Sequence, residues 1–461
     1  MSNRNLDATW TYHNGTKHSY QSVRAGARGL DWENQPLPFK IYSTLEPIPL
    51  PHDFSHPSMP ALDAIAASGV EPADAHAPDL HALAGILYLS AGITKRLKRR
   101  GGVMDFRAAA CTGALYHIEL YLVCGDQPAL AAGVYHFGVH DFALRRLRAG
   151  DYRDIVVRAT GAEPSVASAP AIIICTTTPW RNAWKYRTRA YRHAFWDCGT
   201  ILANLLTTST GYHVPARVVC GFVDAEVNRL LDLDTEREVA VAVIALGRED
   251  ISPATATAAG IRGPGPHAAI EPLRLPTVPL SKSEVDYPGI RAMHAASSLL
   301  TEEVVRAWRT GAPEAKQRLP GTAAAPSGRL IPLQPFAGSA LPRDSTSRVI
   351  RRRGSSRRFA RESISFAQLS TMLDRAVRGV SADFLQPEGG AAPAAAALNT
   401  PYLIVHAVEG LASGAYVFHR DRRALELLKE GDFRSEGGYL GLEQELPADA
   451  SVNVYFLADL P

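Results

Sequence analysis

A short pattern that occurs twice with the same internal spacing is the feature that most constrains the fold of this 461-residue chain. The first copy has glycines at Gly133 and Gly150, and the second has them at Gly414 and Gly431, seventeen residues apart in both cases. In both copies an apolar run follows the first glycine, and Asp, an aromatic residue and Arg follow the second. We interpret each copy as a strand, a helical piece and a turn. A repeat at fixed spacing predicts a duplicated domain.

Composition and the repeat together divide the chain into four regions. They are an irregular N-terminal arm over residues 1–60, a first domain over 61–250, a linker region with one helix over 251–345, and a partial second domain over 346–461. The linker is rich in Pro, Gly and Ala, and its one helix is predicted around Ser297 to Trp308. The second domain is expected to be incomplete at its C-terminus, because far fewer residues follow Arg434 than follow Arg153 in the first domain.

Hydrophobic periodicity predicts the elements of the first domain. Helices are predicted over 79–100, 142–148 and about 186–208, and strands over 118–124, 133–137, 171–177, 214–220 and 239–246. The basic run Lys95 to Arg100 is interpreted as the solvated end of the first of these helices, with a phosphate contact as the alternative. In the second domain, Val452–Leu457 is expected to be the counterpart of the strand over 171–177.

Charge and cysteine content exclude several classes of protein. A net charge of +3 is too small to indicate nucleic acid as the main partner. The five cysteines have no Cys-x-x-Cys or zinc-type spacing, so we predict reduced thiols and no metal site. No apolar run reaches the ~18 residues of a membrane helix, and the N-terminus has no apolar signal core. A cytoplasmic location is therefore expected.

The segment from Phe106 to Tyr121 is a small-residue loop followed by an apolar strand. Small side chains at Cys111, Thr112, Gly113 and Ala114 let the backbone approach a ligand closely, and successive N–H groups can then bind a polar atom. From composition alone, the alternative is a tight turn before a core strand.

This segment resembles the flavin-binding loop of the SagB/ThcOx family of nitroreductase-like dehydrogenases, which usually reads F-R-A-A-P-S-A-G-A-L-Y-P-I-E-L-Y. The sequence departs from that form at four positions: Ala110 for Pro, Cys111 for Ser, Thr112 for Ala and His117 for Pro. The N-terminal strings from Tyr12 to His18 and from Leu30 to Pro36 also resemble that family. The resemblance implies an α+β, nitroreductase-like fold, duplicated in tandem, and FMN as the cofactor. The cofactor-binding residues that it implies in the loop are Arg107, Cys111, Thr112, Gly113, Ala114 and Leu115.

The second domain opens with an arginine-rich string that fits the form R-x-S-x-[KR]-x-F found at the start of nitroreductase-like domains. Arg353, Ser355 and Arg357 occupy its polar positions. Family members are usually dimers with FMN at the subunit boundary, so the resemblance implies that this string and the loop form one composite FMN site within an intramolecular pseudo-dimer. The turn Gly221-Phe222 resembles a flavin-contacting turn, but it belongs to the half-site that lacks the arginines.

Lys185 and Tyr186 lie just before the predicted long helix. Taken alone, they are the polar start of a helix. In SagB-like azoline dehydrogenases a Lys-Tyr pair at this place is catalytic, so the resemblance implies that Lys185 removes a ring proton and that Tyr186 relays or orients.

The resemblance as a whole implies an FMN-dependent dehydrogenase that acts on a thiazoline or oxazoline heterocycle in a peptide or related small molecule. A cyclodehydratase is then the candidate partner. Two alternatives stay open: an NAD(P)H-dependent nitro or quinone reductase, and a catalytically inactive scaffold that has lost FMN through its four loop departures.

Overall fold

The structure of the chain is a computed structural model. It describes residues 5–25, 29–70, 72, 74–99, 102–248, 270–310, 328–385 and 398–458. Much of the predicted linker lies outside the described residues, because 249–269 and 311–327 are not among them. Residues 386–397, which precede the first strand of the second repeat, also lie outside them.

Nine strands of the first half form a large sheet and a separate hairpin. They are β1 (Ile48–Pro49), β2 (Ile93–Arg99), β3 (Gly102–Arg107), β4 (Ile118–Cys124), β5 (Gly133–Gly138), β6 (Ala143–Ala149), β7 (Ala171–Thr177), β8 (Ala216–Val219) and β9 (Val239–Leu246). The sheet has the order β1-β6-β5-β4-β7-β9-β8, and all its neighbouring strands are antiparallel. The hairpin pairs β2 with β3, and β3 leads directly into the small-residue loop.

The central strands are buried on both faces, which explains their continuous apolar runs. Side chains alternate along β4, so Leu120 and Leu122 pack on one face while Tyr121 and Val123 pack on the other. Two hydrophobic cores therefore cover the two faces of the sheet. They hold the ends of β4 and β7 in place against the helices that pack on those faces.

The helices of the first half, in chain order, are α1 (Leu6–Thr16), α2 (Tyr20–Ala25), α3 (Ala61–Ala67), α4 (Leu80–Ala91), α5 (Arg153–Ala159), α6 (Pro164–Ala167), α7 (Pro179–Tyr186), α8 (Ala190–Gly211) and α9 (Asp224–Leu230). Helix α8 is the longest described helix, and it packs against both α3 and α4. Among the described residues, none of the helices is both long and apolar enough to cross a membrane.

The later helices are α10 (Pro288–Ser297), α11 (Glu302–Thr310), α12 (Thr346–Arg352), α13 (Phe366–Ala376), α14 (Arg434–Leu440) and α15 (Glu445–Asp449). The later strands are β10 (Leu330–Pro332), β11 (Ile364–Ser365), β12 (Thr400–Val405), β13 (Val408–Glu409), β14 (Gly414–His419), β15 (Ala424–Glu430) and β16 (Val452–Leu457). Five of these strands form a second sheet in the order β10-β15-β14-β12-β16, and β11 pairs with β13. This order matches β1-β6-β5-β4-β7 strand for strand.

Both copies of the sequence repeat adopt the same local geometry. A register shift interrupts the β5–β6 ladder between Val134 and Tyr135, and the β14–β15 ladder has its shift between Ala415 and Tyr416. The hydroxyl of each tyrosine then donates to a backbone carbonyl four residues earlier, at 2.6 and 2.7 Å. Residues Val452–Leu457 pair with β12 as β7 pairs with β4, in agreement with the sequence-based expectation.

The prediction of a helical piece in each repeat is wrong, because residues 143–149 and 424–430 are strands. Arginines in the first run gave it a helix-like polar pattern, but two of them are buried and hydrogen-bonded to other parts of the first domain. Arg145 donates to Asp141 at 2.5 Å, and Arg148 donates to the Leu230 carbonyl at 2.9 Å. Each repeat is therefore a β-hairpin followed by a turn.

The predicted helix over 79–100 is also too long. It ends at Ala91, where Gly92 donates to the Tyr88 carbonyl, and residues 93–99 form strand β2. The basic run from Lys95 thus lies on a hairpin instead of a helix end. The long helix begins at Ala190, not near residue 186, because Arg187 has a φ of 50° and separates it from α7.

The linker region contains two described helices, α10 and α11, where one was predicted. The segment between them binds the first domain through Asp224, whose carboxylate accepts from the Leu299 N–H at 2.8 Å. His294 on α10 lies 3.8 Å from the same carboxylate. Burial raises the pKa of Asp224 to about 7 and lowers that of His294 to about 4.

This buried carboxyl predicts a pH-dependent stability. Because the pKa of Asp224 is higher in the folded chain than its ordinary 3.8, the folded state holds the proton more tightly, and this stabilisation is lost as pH rises from about 4 to about 7. We expect the free energy of unfolding of the Asp224→Asn variant, relative to wild type, to rise by about 2 kcal/mol between roughly pH 5 and pH 8. Urea unfolding of both proteins at each pH measures it. A difference that does not change with pH would contradict the assignment.

Candidate active site

The loop Cys111–Leu115 connects β3 to β4 through an unusual backbone. Gly113 has a φ of 67°, and two non-glycine residues beside it, Ala114 and Tyr116, also have positive φ values of 54° and 44°. Such conformations cost of order 1–3 kcal/mol each and concentrate at functional sites. Gly113 and Ala114 are exposed. The loop tip therefore presents its backbone to solvent.

Asp197 of α8 holds this loop from the protein side. Its carboxylate accepts from the Cys111 thiol at 3.1 Å, from the Thr112 N–H at 3.0 Å and from the Thr112 hydroxyl at 2.7 Å. His117 Nε2 lies 2.9 Å from the same carboxylate, and His117 Nδ1 lies 2.9 Å from the Thr177 hydroxyl. The side chains of Cys111 and Thr112 are thus turned inward, away from the exposed loop tip.

Burial and these contacts set the protonation states of the cluster. Burial raises the pKa of the Cys111 thiol and lowers the pKa of His117, so both groups are neutral near pH 7. Burial opposes ionisation of Asp197, but hydrogen bonds from His117 and the loop outweigh it and hold the pKa of that carboxyl below its ordinary value. The cluster is therefore one carboxylate surrounded by neutral donors.

Helix α7 brings the predicted catalytic pair to the loop. A Cβ added at Gly113 would lie 2.9 Å from the Tyr186 hydroxyl, so the tyrosine covers the loop at the point where only glycine fits. Asn182, one turn earlier, donates to the Thr112 carbonyl at 3.3 Å and is itself held by His193 at 2.7 Å. Lys185 is exposed, with its ammonium nitrogen 5.2 Å from the centre of the Tyr186 ring.

The arginine-rich string of the second half also reaches the loop. It follows α12, and the Arg353 guanidinium donates to the Ala108 carbonyl at 3.2 Å. Ser355 and Arg357 follow as exposed residues, and no contact between them and the loop is seen in the described part of the chain. The structure thus brings Arg353 to the loop across 245 residues of sequence.

Arg107 occupies a different position from the other predicted cofactor ligands. Its side chain is buried, and its guanidinium donates to the carbonyls of Pro38 at 2.5 Å and Ile118 at 3.4 Å. The ring of Tyr116 lies 5.0 Å from it. Arg107 fixes the base of the loop to the N-terminal arm, and a direct role for it at a flavin stays a prediction. Leu115 is buried among the aromatic residues of α7.

The Gly221-Phe222 turn is occupied by the protein itself. The Asp383 carboxylate accepts from the N–H groups of Cys220 and Gly221, both at 2.9 Å. A Cβ at Gly221 would lie 2.8 Å from the Trp308 ring. Its backbone donors therefore serve the packing of the second half against the first, which agrees with leaving this turn out of the proposed site.

Sequence reasoning missed Asp197, Asn182 and His193. Asp197 and Asn182 acquire their roles through contact with a loop 70 or more residues earlier. His193 acts one step further away, because its ring holds the Asn182 side chain. The departures at Cys111, Thr112 and His117 were the available signal, because all three side chains donate to Asp197.

The residues present fit a flavin in two respects. The backbone of Gly113 and Ala114 is exposed beside Tyr186, so its polar groups are accessible to a ligand, and the Arg353 guanidinium nearby is a cation suited to an anionic group. The Thr112 N–H is already bound to Asp197. A flavin would therefore meet the loop at its tip instead of its first residues.

Comparison with protein families matches residues 106–248, about a third of the chain, to the model of the Nitroreductase family. A comparison with curated protein sequences gave no match. The matched segment begins in strand β3 and ends just after β9, so it contains the loop, the Lys-Tyr pair and Asp197.

Solved structures of low sequence identity share the architecture. A proposed nitroreductase from Anabaena variabilis is 23% identical, covers 98% of this chain and 85% of its own, and has a TM-score of 0.69. A proposed nitroreductase from Ralstonia eutropha is 19% identical, covers 47% of this chain and 100% of its own, and has a TM-score of 0.36. The microcin synthetase complex of E. coli is 18% identical, covers 52% of this chain and 87% of its own, and has a TM-score of 0.33. The first shows that the chain has a nitroreductase-like α+β fold, as predicted.

Proposed function

We propose that this chain is an FMN-dependent oxidoreductase of the SagB/ThcOx type, which dehydrogenates a thiazoline or oxazoline heterocycle in a peptide or related small molecule. The observation that carries the proposal is the convergence at the loop. The Tyr186 hydroxyl covers Gly113, and Arg353 binds the backbone at Ala108. The contacts of Tyr186 and Arg353 with the segment that begins at Phe106 support one composite site.

The proposed architecture is an intramolecular pseudo-dimer with one composite site. The first nitroreductase-like domain, residues 61–250, supplies the loop and the Lys-Tyr pair. The partial second domain, residues 346–461, supplies Arg353, Ser355 and Arg357. The matching strand orders of the two sheets support this duplication.

FMN, when bound, would accept a hydride from the substrate ring. Lys185, which is exposed, would take the proton that leaves the ring, and the desolvation that activates an amine would come from the substrate covering it. The Tyr186 hydroxyl would orient the ring by a hydrogen bond. Arg353 and Arg357 would hold the anionic part of the cofactor, since guanidinium groups bind phosphate through two parallel donors. A cyclodehydratase that forms the heterocycle is the partner that this chemistry implies.

The cofactor is tested by denaturing the purified chain and identifying the released chromophore. We expect FMN, and we expect the Arg357→Ala variant to bind it about 10- to 150-fold more weakly, because an ionic hydrogen bond worth roughly 1.5–3 kcal/mol is lost. Arg352→Ala is the matched control, since Arg352 is exposed on the same segment and is bound to Asp344 instead.

Release of FAD, or no binding after incubation with excess FMN, would overturn the cofactor assignment and favour the inactive scaffold. Equal FMN affinity of Arg357→Ala and wild type would overturn the composite site. With FMN bound, a substrate peptide that loses two hydrogen atoms per ring under air supports dehydrogenation. Bleaching of the flavin by NADPH without oxygen, and no change in the peptide, would identify the nitro or quinone reductase instead.

A further inference from the structure

The side chains behind the loop form a set of metal ligands that the sequence did not predict. Cys111 Sγ, His117 Nε2 and one Asp197 oxygen all lie within 4.8 Å of one another. The sulfur lies 3.1 Å and the imidazole nitrogen 2.9 Å from the same carboxylate oxygen. The three ligands come from the loop, from the residue before β4 and from α8, so no short spacing motif announces them.

These separations are close to those around a tetrahedral zinc ion. With Zn–S near 2.3 Å and Zn–N and Zn–O near 2.0–2.2 Å, neighbouring ligand atoms lie about 3.3–3.6 Å apart. The two contacts to the carboxylate oxygen would need to lengthen by only a few tenths of an ångström to accept the ion. One sulfur, one imidazole nitrogen and one carboxylate oxygen form a donor set typical of zinc.

Each ligand has a second partner that orients it. Thr112 donates to the other Asp197 oxygen through its hydroxyl at 2.7 Å. The Thr177 hydroxyl lies 2.9 Å from His117 Nδ1, which leaves Nε2 directed at the cluster. The Tyr116 N–H donates to the Cys111 sulfur at 3.1 Å, a contact that suits a thiolate better than a thiol. Outer contacts of this kind orient metal ligands and hold them in place.

A small cavity beside the cluster would hold a fourth ligand. It is bordered by Cys111, Asp197 and the buried Arg107, together with apolar side chains such as Ala91 and Ile201. Three protein ligands with an open fourth position are typical of a zinc ion that also binds water. Two anionic ligands, the thiolate and the carboxylate, would balance the charge of the ion.

We propose that Cys111, His117 and Asp197 bind one zinc ion, with a water molecule as fourth ligand, and that the ion fixes the loop to helix α8. On binding, the Cys111 thiol loses its proton to solvent and its sulfur coordinates the metal. The His117 ring carries its proton on Nδ1, where the Thr177 hydroxyl accepts it, so that the Nε2 lone pair is free for the ion. The site does not depend on the proposed flavin chemistry, because its ligands lie behind the loop and not at its exposed tip.

The test uses the full chain, with its metal content measured as purified and again after chelation and addition of one equivalent of Co²⁺. We expect about one zinc per chain, and after exchange a thiolate-to-cobalt charge-transfer band together with the visible bands of tetrahedral Co²⁺. Difference spectra against the metal-free protein remove any flavin absorbance. Cys111→Ser should lose the charge-transfer band and weaken Co²⁺ binding at least about 100-fold.

Two further variants keep the test decisive. Cys220→Ser, at a half-buried cysteine outside the cluster, should keep the metal and the band. Thr177→Val leaves all three ligands in place and should weaken Co²⁺ binding about 10- to 100-fold, because His117 loses its orienting partner. A wild-type chain that binds neither Zn²⁺ nor Co²⁺ would overturn the proposal and leave a hydrogen-bonded cluster. So would a charge-transfer band that survives in Cys111→Ser or is lost in Cys220→Ser.

Discussion

Replacing Arg181 by alanine should lower the free energy of unfolding by about 3–5 kcal/mol, the range for removing one partner of a buried ion pair. Arg181 is 1% exposed and its partner Glu119 is 2% exposed. The guanidinium donates to the Glu119 carboxylate and to the Tyr116 carbonyl, so it joins α7 to the start of β4. Burial alone would raise the pKa of Glu119, but the charge of Arg181 and a hydrogen bond from His136 hold that pKa far below its ordinary value. The Arg181→Ala variant would therefore leave a buried carboxylate without its cation.

Urea unfolding of the variant and the wild type near pH 7 measures this difference. Arg306→Ala is the matched control, since Arg306 forms exposed pairs with Glu302 and Glu303 that contribute at most about 1 kcal/mol. Adding Glu119→Gln to Arg181→Ala should recover part of the loss, because the uncompensated charge is then removed. If Arg181→Ala destabilises the chain no more than Arg306→Ala does, the pair is not the structural link that we describe.

The parts of the site that could be predicted from sequence are those coded by local strings. The loop and the Lys-Tyr pair are each contiguous, and apolar runs predicted the strands β4, β5 and β7 that lie around them. Their mutual contact, with Tyr186 over Gly113, followed because β4 and α7 are joined through β7, which pairs with β4. Arg353 reached the loop because α12 packs against α4 and α8.

The wrong prediction of a helix over residues 142–148 has a physical cause. Periodicity assumes that charged side chains face water, yet Arg145 and Arg148 are buried on β6 and satisfied by Asp141 and by a backbone carbonyl. The strand therefore had the polar pattern of a helix. Pattern reasoning fails for a buried charge because the sequence does not show that it has a partner, whether that partner is four residues away, as Asp141 is, or 82 residues away, as Leu230 is.

Asp197 is a second case in which sequence patterns did not reveal the partner of a group of side chains. In the sequence analysis, Cys111, Thr112 and His117 are separate departures from the usual loop form. In the structure these three substitutions form one coupled set, because all of them donate to one carboxylate of α8. In this chain the three departures therefore act as one hydrogen-bonded set that holds the loop to α8.

Lys185→Ala should leave FMN bound but slow dehydrogenation of the heterocycle by about 10²- to 10⁴-fold, the range for a lost acid–base group. Lys185 is exposed at the last turn of α7 and binds no acidic partner among the described residues, so its removal should not disturb the fold. The loss should appear in kcat more than in KM, because proton removal is the step affected. Stopped-flow measurement of flavin reduction by the substrate peptide, without oxygen, isolates that step.

Tyr186→Phe and Lys282→Ala separate a catalytic role from a general loss of charge. Tyr186→Phe keeps the ring over Gly113 and should slow the same step less than Lys185→Ala does, because an orienting hydroxyl contributes less than the base. Lys282 is an exposed lysine 3.8 Å from Glu33 and away from the loop, so its replacement should leave the rate unchanged. If flavin reduction is as fast in Lys185→Ala as in wild type, Lys185 is a surface residue and the base must be sought among other groups that line the loop. His193 would then be the first candidate, because it is in ring contact with Tyr186 at 4.7 Å.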